Sequence, residues 1–243
     1  MRSITNFLNE SIENEVYLSE SILDADKPVS LRTAKKEIRE WILKNCILRG
    51  GKRIDVSDDF VVDCDNDVQY RNVATSSLTN GKFRWGYVRD FNCDFTQITS
   101  LEGGPRKCNM FSCEWCPNLV SLEGAPEEVI AEFSCSGCPK LQNLEGTPEK
   151  VGFLNCSKCS NLKSLEGAPE KVLSFDCQDC YNLTSLEGAP KEVRDTFSCP
   201  YCKKLTSLEG APRKIGGWIE CWGCDNLIIT DKDRRKYNIH DHE

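Results

Sequence analysis

Hydrophobic positions recur along most of this chain in one fixed order. In the segment Pro148-Glu-Lys-Val-Gly-Phe-Leu-Asn-Cys-Ser-Lys-Cys-Ser-Asn-Leu-Lys-Ser-Leu-Glu-Gly-Ala168, the apolar and cysteine positions form the frame Val-x-x-Leu-x-Cys-x-x-Cys-x-x-Leu-x-x-Leu. The first cysteines of successive copies lie 21 or 22 residues apart, at Cys113, Cys135, Cys156, Cys177, Cys199 and Cys221. A fixed period of this length predicts a solenoid, in which each copy is one turn that packs on its neighbours.

The pattern within one copy predicts a short strand followed by turns. Leu154-x-Cys156 alternates as a strand with one buried face does. Leucines then recur every third residue, over a run too short for an ordinary α-helix, before Gly167 permits a positive φ and Pro169 ends the unit. Stacked copies would pair their strands in parallel about 4.8 Å apart, so that inward residues form continuous columns.

Copies differ by one residue between the valine and the strand. Val129 and Phe133 are four positions apart, whereas Val172 and Phe175 are three apart. Because the rest of the frame is kept, we expect a one-residue bulge where the strand begins.

Two amphipathic helices are predicted before the repeats. Apolar residues follow spacings of three and four in residues 4–23, and again from Leu31 to Cys46, where Ser30 is the expected N-cap and Gly50-Gly51 the end. We expect this pair to cover the first turns, since a solenoid end needs a cap. The chain is therefore divided into a helical leader and cap at 1–53, short strands and degenerate capping repeats at 54–92, a solenoid of about seven repeats at 93–226, and a C-terminal cap with a charged tail at 227–243.

Short elements are predicted on both sides of the repeats. Three strands are expected before them, at Ile54–Val56, Phe60–Val62 and Phe83–Trp85. Asn80-Gly81 is a turn signal. After the last cysteine pair, Leu227–Ile229 is predicted as a strand-like edge, and Thr230 as the N-cap of a closing helix through Tyr237.

The repeat frame resembles the leucine-rich repeat, L-x-x-L-x-L-x-x-N/C-x-L, in its short bacterial form. The resemblance runs through six consecutive copies from near Lys107 and extends more loosely back to Val88. It implies a right-handed stack of short parallel strands with little helix in the repeats. It also places the first cysteine of each pair inside the strand, and the second where Asn or Cys ties the turn to the neighbouring copy.

A second resemblance concerns the N-terminus and the repeat type. Met1-Arg-Ser-Ile-Thr-Asn-Phe-Leu-Asn-Glu-Ser11 looks like the leader of many proteins of large contractile-tailed bacteriophages, and Leu8-Asn9-Glu10 fits the Leu/Ile-x-Glu pattern of their prohead proteases. Repeats of the Ser-Leu-Glu-Gly-Ala-Pro type look like those of uncharacterised phage proteins. The resemblance implies a phage accessory protein that acts in the bacterial host cell, and cleavage after Glu10 would imply packaging in the virion.

Charge and composition narrow the functional classes. The formal net charge is −7 and the pI near 5.1, so no overall basic field attracts nucleic acid. No run approaches eighteen apolar residues, and glutamates interrupt the first twenty residues, where a secretory signal would be apolar. We therefore expect a cytoplasmic protein without membrane contact, whose 16 cysteines are thiols.

The cysteine pairs allow two interpretations. Cys-x2-Cys, repeated after 17 or 18 residues, has the spacing of a four-thiolate zinc site, which would make the chain a zinc-binding structural or nucleic-acid-binding module. The repeat favours the other interpretation, in which both cysteines point into the stack as small apolar residues, without a metal or cofactor. In the zinc alternative the ligands are Cys113, Cys116, Cys135, Cys138, Cys156, Cys159, Cys177, Cys180, Cys199, Cys202, Cys221 and Cys224.

No catalytic constellation is recognisable. The two histidines, His240 and His242, lie in the charged tail, far in sequence from the repeated cysteines. Six glutamates recur at the Leu-Glu-Gly position, and we expect them to accept backbone N–H bonds or to pair with Lys150, Lys171 and Lys214. They are Glu102, Glu123, Glu145, Glu166, Glu187 and Glu209. The prediction is a protein that is not an enzyme.

The outward residues of the strands are the candidate functional residues. They form columns that contain aromatic side chains next to acidic ones, and aromatic anchors are typical of protein interfaces. The residues predicted to bind a partner are Trp115, Phe153, Asp176, Asp179, Tyr201, Trp218, Glu220 and Trp222. The expected partner is a protein of the bacterial host, such as a defence protein, although Trp218 and Trp222 could instead pack on the C-terminal cap.

Overall fold

A computed structural model describes residues 29–49, 54–70, 74–79 and 81–241. Two helices lie at the ends of this part of the chain: α1 spans Val29–Asn45 and α2 spans Asp231–Lys236. Fourteen strands lie between and beyond them. They are β1 Cys46–Arg49, β2 Ile54–Val56, β3 Val61–Tyr70, β4 Arg84–Asn92, β5 Lys107–Ser112, β6 Glu128–Ser134, β7 Lys150–Asn155, β8 Lys171–Val172, β9 Ser174–Asp176, β10 Glu192–Val193, β11 Phe197–Ser198, β12 Lys214–Ile215, β13 Ile219–Glu220 and β14 Ile239–His240.

The repeats form a β-solenoid of about eight turns with parallel strands, as predicted. The main sheet has 11 strands, and its order from β3 is β4, β5, β6, β7, β9, β11, β13 and β14. Equivalent positions of successive turns are paired, so that Phe111 lies beside Phe133 and Leu154 beside Phe175. The sequence period therefore equals one turn of the stack.

The interior consists of columns of identical or similar side chains. Phe91, Phe111 and Phe133 stack with ring centroids 5.3 and 5.2 Å apart, and Phe175 stacks on Phe197 at 5.2 Å. The leucines of each turn are also fully buried, as at Leu119, Leu141, Leu162, Leu183 and Leu205. No single turn could bury these side chains alone, because each is covered by the turns before and after it.

The extra residue of β6 shifts the register against both neighbouring strands, as expected of a bulge. The register shifts between Cys108 and Met110, and again between Val129 and Glu132. In the last three turns the strand is divided in two, so that β8, β10 and β12 form a separate three-stranded sheet. This break lies between the valine and the strand, and it is present at Val172 and Ser174 in a copy without the extra residue.

The N-terminal end is closed by α1 and by antiparallel strands. Ile38 and Ile42 of α1 are buried, and Trp41 packs edge-on against Tyr70 and Phe83. The predicted second helix is thus present. It begins at Val29, before the predicted N-cap Ser30, and it ends at Asn45, because Cys46 is the first residue of β1. The predicted first helix, at 4–23, lies outside the described residues.

Strands β1 and β2 both pair antiparallel with β3. The predicted strand at Ile54–Val56 is confirmed, but those at 60–62 and 83–85 are too short and shifted. They belong to β3 and β4, which begin at Val61 and Arg84 and have 10 and 9 residues. Asn80 of the predicted turn lies outside the described residues, whereas Gly81 has a positive φ of 68°.

The C-terminal end differs from the prediction in one element. Leu227–Ile229 is not a strand, and the edge of the sheet is instead β14, which pairs parallel with β13. The closing helix is confirmed: the Thr230 side chain accepts from the Asp233 N–H, and the Asp233 carboxylate accepts from the Thr230 N–H. Neither helix of the described residues is long and apolar enough to cross a membrane.

Candidate protein-binding face

The paired cysteines form two columns of free thiols, all of them buried except Cys224, which is half-buried. The second thiol of each turn donates to the carbonyl of the first cysteine one turn earlier, as Cys159 Sγ does to the Cys135 oxygen at 3.2 Å. The same bond, at 3.2–3.3 Å, is made by Cys116, Cys138, Cys180, Cys202 and Cys224. The second cysteine therefore ties its turn to the neighbouring copy, as the resemblance implied.

Among the first thiols, those of Cys113 and Cys156 bond in the opposite direction, to the next turn. Cys156 Sγ donates to the Asp176 carbonyl of the next turn at 3.3 Å, and this carbonyl already accepts the Cys156 N–H at 2.8 Å. Burial raises the pKa of Cys113, Cys156, Cys177 and Cys199 well above the usual thiol value. These thiols therefore stay protonated and act as small apolar side chains that fill the interior.

The described part of the chain contains no preformed cluster of side chains that fits the zinc interpretation. There, no group of three or more His, Cys, Asp or Glu side chains is placed to hold a metal ion. The zinc alternative stays a prediction, which metal analysis of protein purified without added zinc would test. About one zinc for every two neighbouring cysteine pairs would support it.

Outward side chains of the strands and of the turn that follows them form one surface, which we call the strand face. One of its columns consists of Asp90, Met110, Glu132, Phe153 and Ser174, all paired in register. The next runs through Asn92, Ser112, Ser134, Asn155, Asp176, Ser198, Glu220 and His240. The predicted columns are therefore present in the structure. Ser134 is an exception to their exposure: it is buried, and its hydroxyl donates to the Glu114 carboxylate.

Trp115, Asp179 and Tyr201 occupy one repeated turn position with a left-handed backbone, at φ of 54° to 58°. This geometry lets the turn N–H reach the next turn, as when Trp115 N donates to the Ser136 oxygen at 2.8 Å. The same position holds Gly137, over which the Trp115 ring lies: a Cβ there would be 2.5 Å from the indole. The indole is thus held flat along the stack while 44% of Trp115 remains exposed.

Trp222 belongs to the neighbouring column, one residue earlier in its turn. Its ring packs edge-on against Tyr201 with centroids 4.7 Å apart, and it is half-buried. Trp218 stacks on His240 of β14 at 4.3 Å, yet 45% of Trp218 is exposed. Both tryptophans thus pack near the C-terminal end, and Trp218 also keeps a free surface.

The predicted acidic residues lie among these rings. Burial raises the pKa of the Asp176 carboxyl, and repulsion from Glu220 and Asp179 adds to the shift. The Glu220 carboxylate accepts from the Ser198 hydroxyl at 2.9 Å. Phe153 lies between the two halves of the face and is half-buried. Carboxylates that repel one another on a partly buried surface would favour contact with a cation.

Sequence reasoning missed a second acidic group on the N-terminal half of the strand face. Here a depression of about 460 Å³ is lined by Arg49, Asp67, Asp90, Met110, Glu114 and Glu132. We call it the acidic depression. Its carboxylates come from β3, β4, β6 and the turn after β5, and only β3 and β4 precede the well-matched repeats. Extending the outward columns backwards by one period would have found Asp90, which pairs with Met110.

The Leu-Glu-Gly glutamates lie away from this face and behave differently from the prediction. All six are exposed, and none forms an ion pair with a described lysine or arginine. Lys171 and Lys214 pair with Glu192 instead, at 3.6 and 2.9 Å. The expected pairing was wrong because each lysine lies beside the equivalent position of the adjacent turn, which holds Glu192.

A third surface feature is a groove beside the bulge. Exposed Ile130 and Leu173 form its walls, and Gly152 lies between them. The charged residues that line it are balanced in sign: they are Glu128, Glu149, Glu170, Lys150, Lys171 and Arg194. The groove therefore has no net charge that would select a partner.

The chain matches no protein-family model, no curated protein and no solved structure.

Proposed function

We propose that this chain is a non-enzymatic interaction protein, which binds a protein partner on its strand face. The observation that carries the proposal is the exposure of Trp115 and Trp218, at 44% and 45%, on the same face as Asp176 and Glu220. Large aromatic side chains beside partly buried charges are the usual anchors of protein interfaces. The stacked turns hold them on a rigid sheet, which lowers the entropic cost of binding.

The test is affinity capture from host cells with three forms of the protein. The face variant carries Trp115→Ser and Trp218→Ser. The control carries Val120→Ser and Ile228→Ser, which are also exposed apolar side chains, at 54% and 70%, but outside the strand face. We expect the wild type and the control to retain one protein that the face variant loses by about tenfold or more. Equal retention by all three forms would contradict the proposal.

We extend the proposal to the origin of the chain, as a phage accessory protein of the short leucine-rich-repeat type whose partner is a host or defence protein. Its support is the Leu and Cys frame with its thiol bond between turns, together with the leader-like Leu8-Asn9-Glu10. Intact mass of the protein in purified virions tests the packaging step. A mass beginning at Ser11 would support processing and packaging, and absence from virions would contradict packaging.

A further inference from the structure

We propose that the acidic depression receives the arginine side chains of an extended cationic segment of the partner. The inference rests on the proposed function, and it names the chemistry that the strand face recognises. It concerns the N-terminal half of the face, around Asp90, Glu114 and Glu132, and not the tryptophan-rich C-terminal half.

Charge complementarity is the first argument. Four carboxylates and the Arg49 guanidinium line the depression, and one of these carboxylates, Asp67, is already paired with Arg89 at 2.7 Å, which leaves an excess of two negative charges. The other three carboxylates have no ion pair with a described residue, unlike the charges neutralised between turns in the pairs Lys107–Glu128 and Arg106–Glu127. Burial raises the pKa of Glu132, and the neighbouring Glu114 raises it further, so a bound cation would relieve both effects.

Orientation of the carboxylates is the second argument. One oxygen of Asp90 accepts from the Asn109 amide at 3.0 Å and from the Met110 N–H at 3.2 Å. One oxygen of Glu114 accepts from the Ser134 hydroxyl at 2.6 Å. The second oxygen of each has no hydrogen bond from the described residues, so the carboxylates are fixed and still able to accept from a ligand.

The shape of the site favours arginine. Met110 is 40% exposed and lies on the wall of the depression among the carboxylates. The aliphatic part of an arginine side chain can pack on this thioether while its planar guanidinium donates to two carboxylates at once. Lysine has the same charge but cannot make this forked contact.

The experiment measures fluorescence anisotropy of labelled hexa-arginine at an ionic strength of about 0.15 M. The depression variant carries Glu114→Gln and Glu132→Gln, and Gln keeps the oxygen that Ser134 needs. The matched control carries Glu166→Gln and Glu187→Gln, which remove the same charge from the exposed Leu-Glu-Gly column. We expect about tenfold weaker binding by the depression variant and less than about twofold by the control. Hexa-lysine should bind the wild type more weakly than hexa-arginine.

Three results would overturn the inference: no binding of hexa-arginine by the wild type, equal losses in both variants, or equal binding of the two peptides. Equal losses would mean attraction by net charge alone. The two proposals fail separately. If hexa-arginine does not bind but the tryptophan variant still loses its captured protein, the interaction function stands and the inference falls. If peptide binding depends on the depression but capture is unaffected by the tryptophan variant, the preference of the depression for arginine stands, whereas partner binding on the strand face falls.

Discussion

The two cysteine columns differ in what each thiol does for the backbone. The Cys135 carbonyl receives the Cys159 thiol and no other hydrogen bond from the described residues. The Asp176 carbonyl, by contrast, accepts both the thiol and the N–H of Cys156. The thiol bond is therefore needed in the second column and redundant in the first, since a buried carbonyl without a partner is costly.

This difference predicts opposite preferences for serine and alanine at two buried cysteines. At Cys159, serine keeps a donor for the buried carbonyl, so Cys159→Ala should lower the free energy of unfolding by about 1 kcal/mol more than Cys159→Ser. At Cys156 the carbonyl stays bonded, so alanine should be tolerated at least as well as serine, which buries a hydroxyl. Urea unfolding of the four variants measures both differences. The same order at both positions would contradict the assignment.

Glycine at the Leu-Glu-Gly turn is predicted to be indispensable. Gly167 has φ of 91°, and a Cβ there would lie 2.3 Å from the Glu145 nitrogen of the preceding turn. Gly167→Ala should therefore cost about 3 kcal/mol or more, since strain and a backbone clash add. Gly81→Ala is the control, because Gly81 has φ of 68° but open space around it. It should cost about 1 kcal/mol. Equal losses in thermal or urea unfolding would show that the clash is relieved without cost.

At the scale of elements, α2 holds the last strand in place. It begins at the Thr230–Asp233 capping box, and it leads to Tyr237, whose hydroxyl donates to the Pro212 carbonyl at 2.9 Å. Strand β14 follows directly, and its segment accepts the N–H groups of Ile219 and Cys221 at 2.8 and 2.9 Å. A helix of six residues is too short to be stable alone, so its cap and these contacts must act together.

Removing the cap should therefore loosen the final strand pairing. Thr230→Ala loses a capping interaction of about 1 kcal/mol. Hydrogen exchange at the Ile219 and Cys221 amides should become faster by about fivefold, since their acceptors follow α2. Thr206→Ala is the control, because Thr206 is exposed and its side chain makes no hydrogen bond within the described residues. Unchanged exchange in Thr230→Ala would mean that β14 is held without α2.

At the scale of the whole molecule, the buried thiols connect stability to pH. Burial raises the pKa of Cys108, Cys221 and Cys224 to about 12. It also raises the pKa of five deeper thiols well above the usual value, namely Cys93, Cys113, Cys156, Cys177 and Cys199. In the unfolded chain a thiol titrates near pH 8.5. Between these values the unfolded state loses protons that the folded state keeps, so stability must fall as the pH rises.

Ionisation of the thiols should accordingly leave the free energy of unfolding unchanged below about pH 8 and lower it above about pH 9. Each thiol whose folded pKa is near 12 contributes a loss of about 1.4 kcal/mol per pH unit in this range. Urea unfolding at several pH values, with a reductant present, measures the slope. Stability that does not change up to about pH 11 would contradict the burial of the thiols.

The fold of the repeats was predictable because each turn repeats the same local frame. Leu154 and Cys156 alternate in a strand, and the period of 21 or 22 residues places every equivalent residue in the same column. The end elements were predicted less well. Ile239–His240 has no repeat frame, and nothing in its local sequence shows that it, and not Leu227–Ile229, pairs with β13.

The sequence by itself determined the solenoid, the inward thiols and leucines, and the outward position of Trp115 and Asp176, because contacts between adjacent turns depend only on spacing. Only the tertiary structure decided which outward residues meet. Trp115 lies over a glycine of the next turn, and Asp90, Glu114 and Glu132 converge although they come from three turns and from two positions of the frame. Such contacts depend on bulges and irregular turns, which shift a side chain by a residue without changing the period.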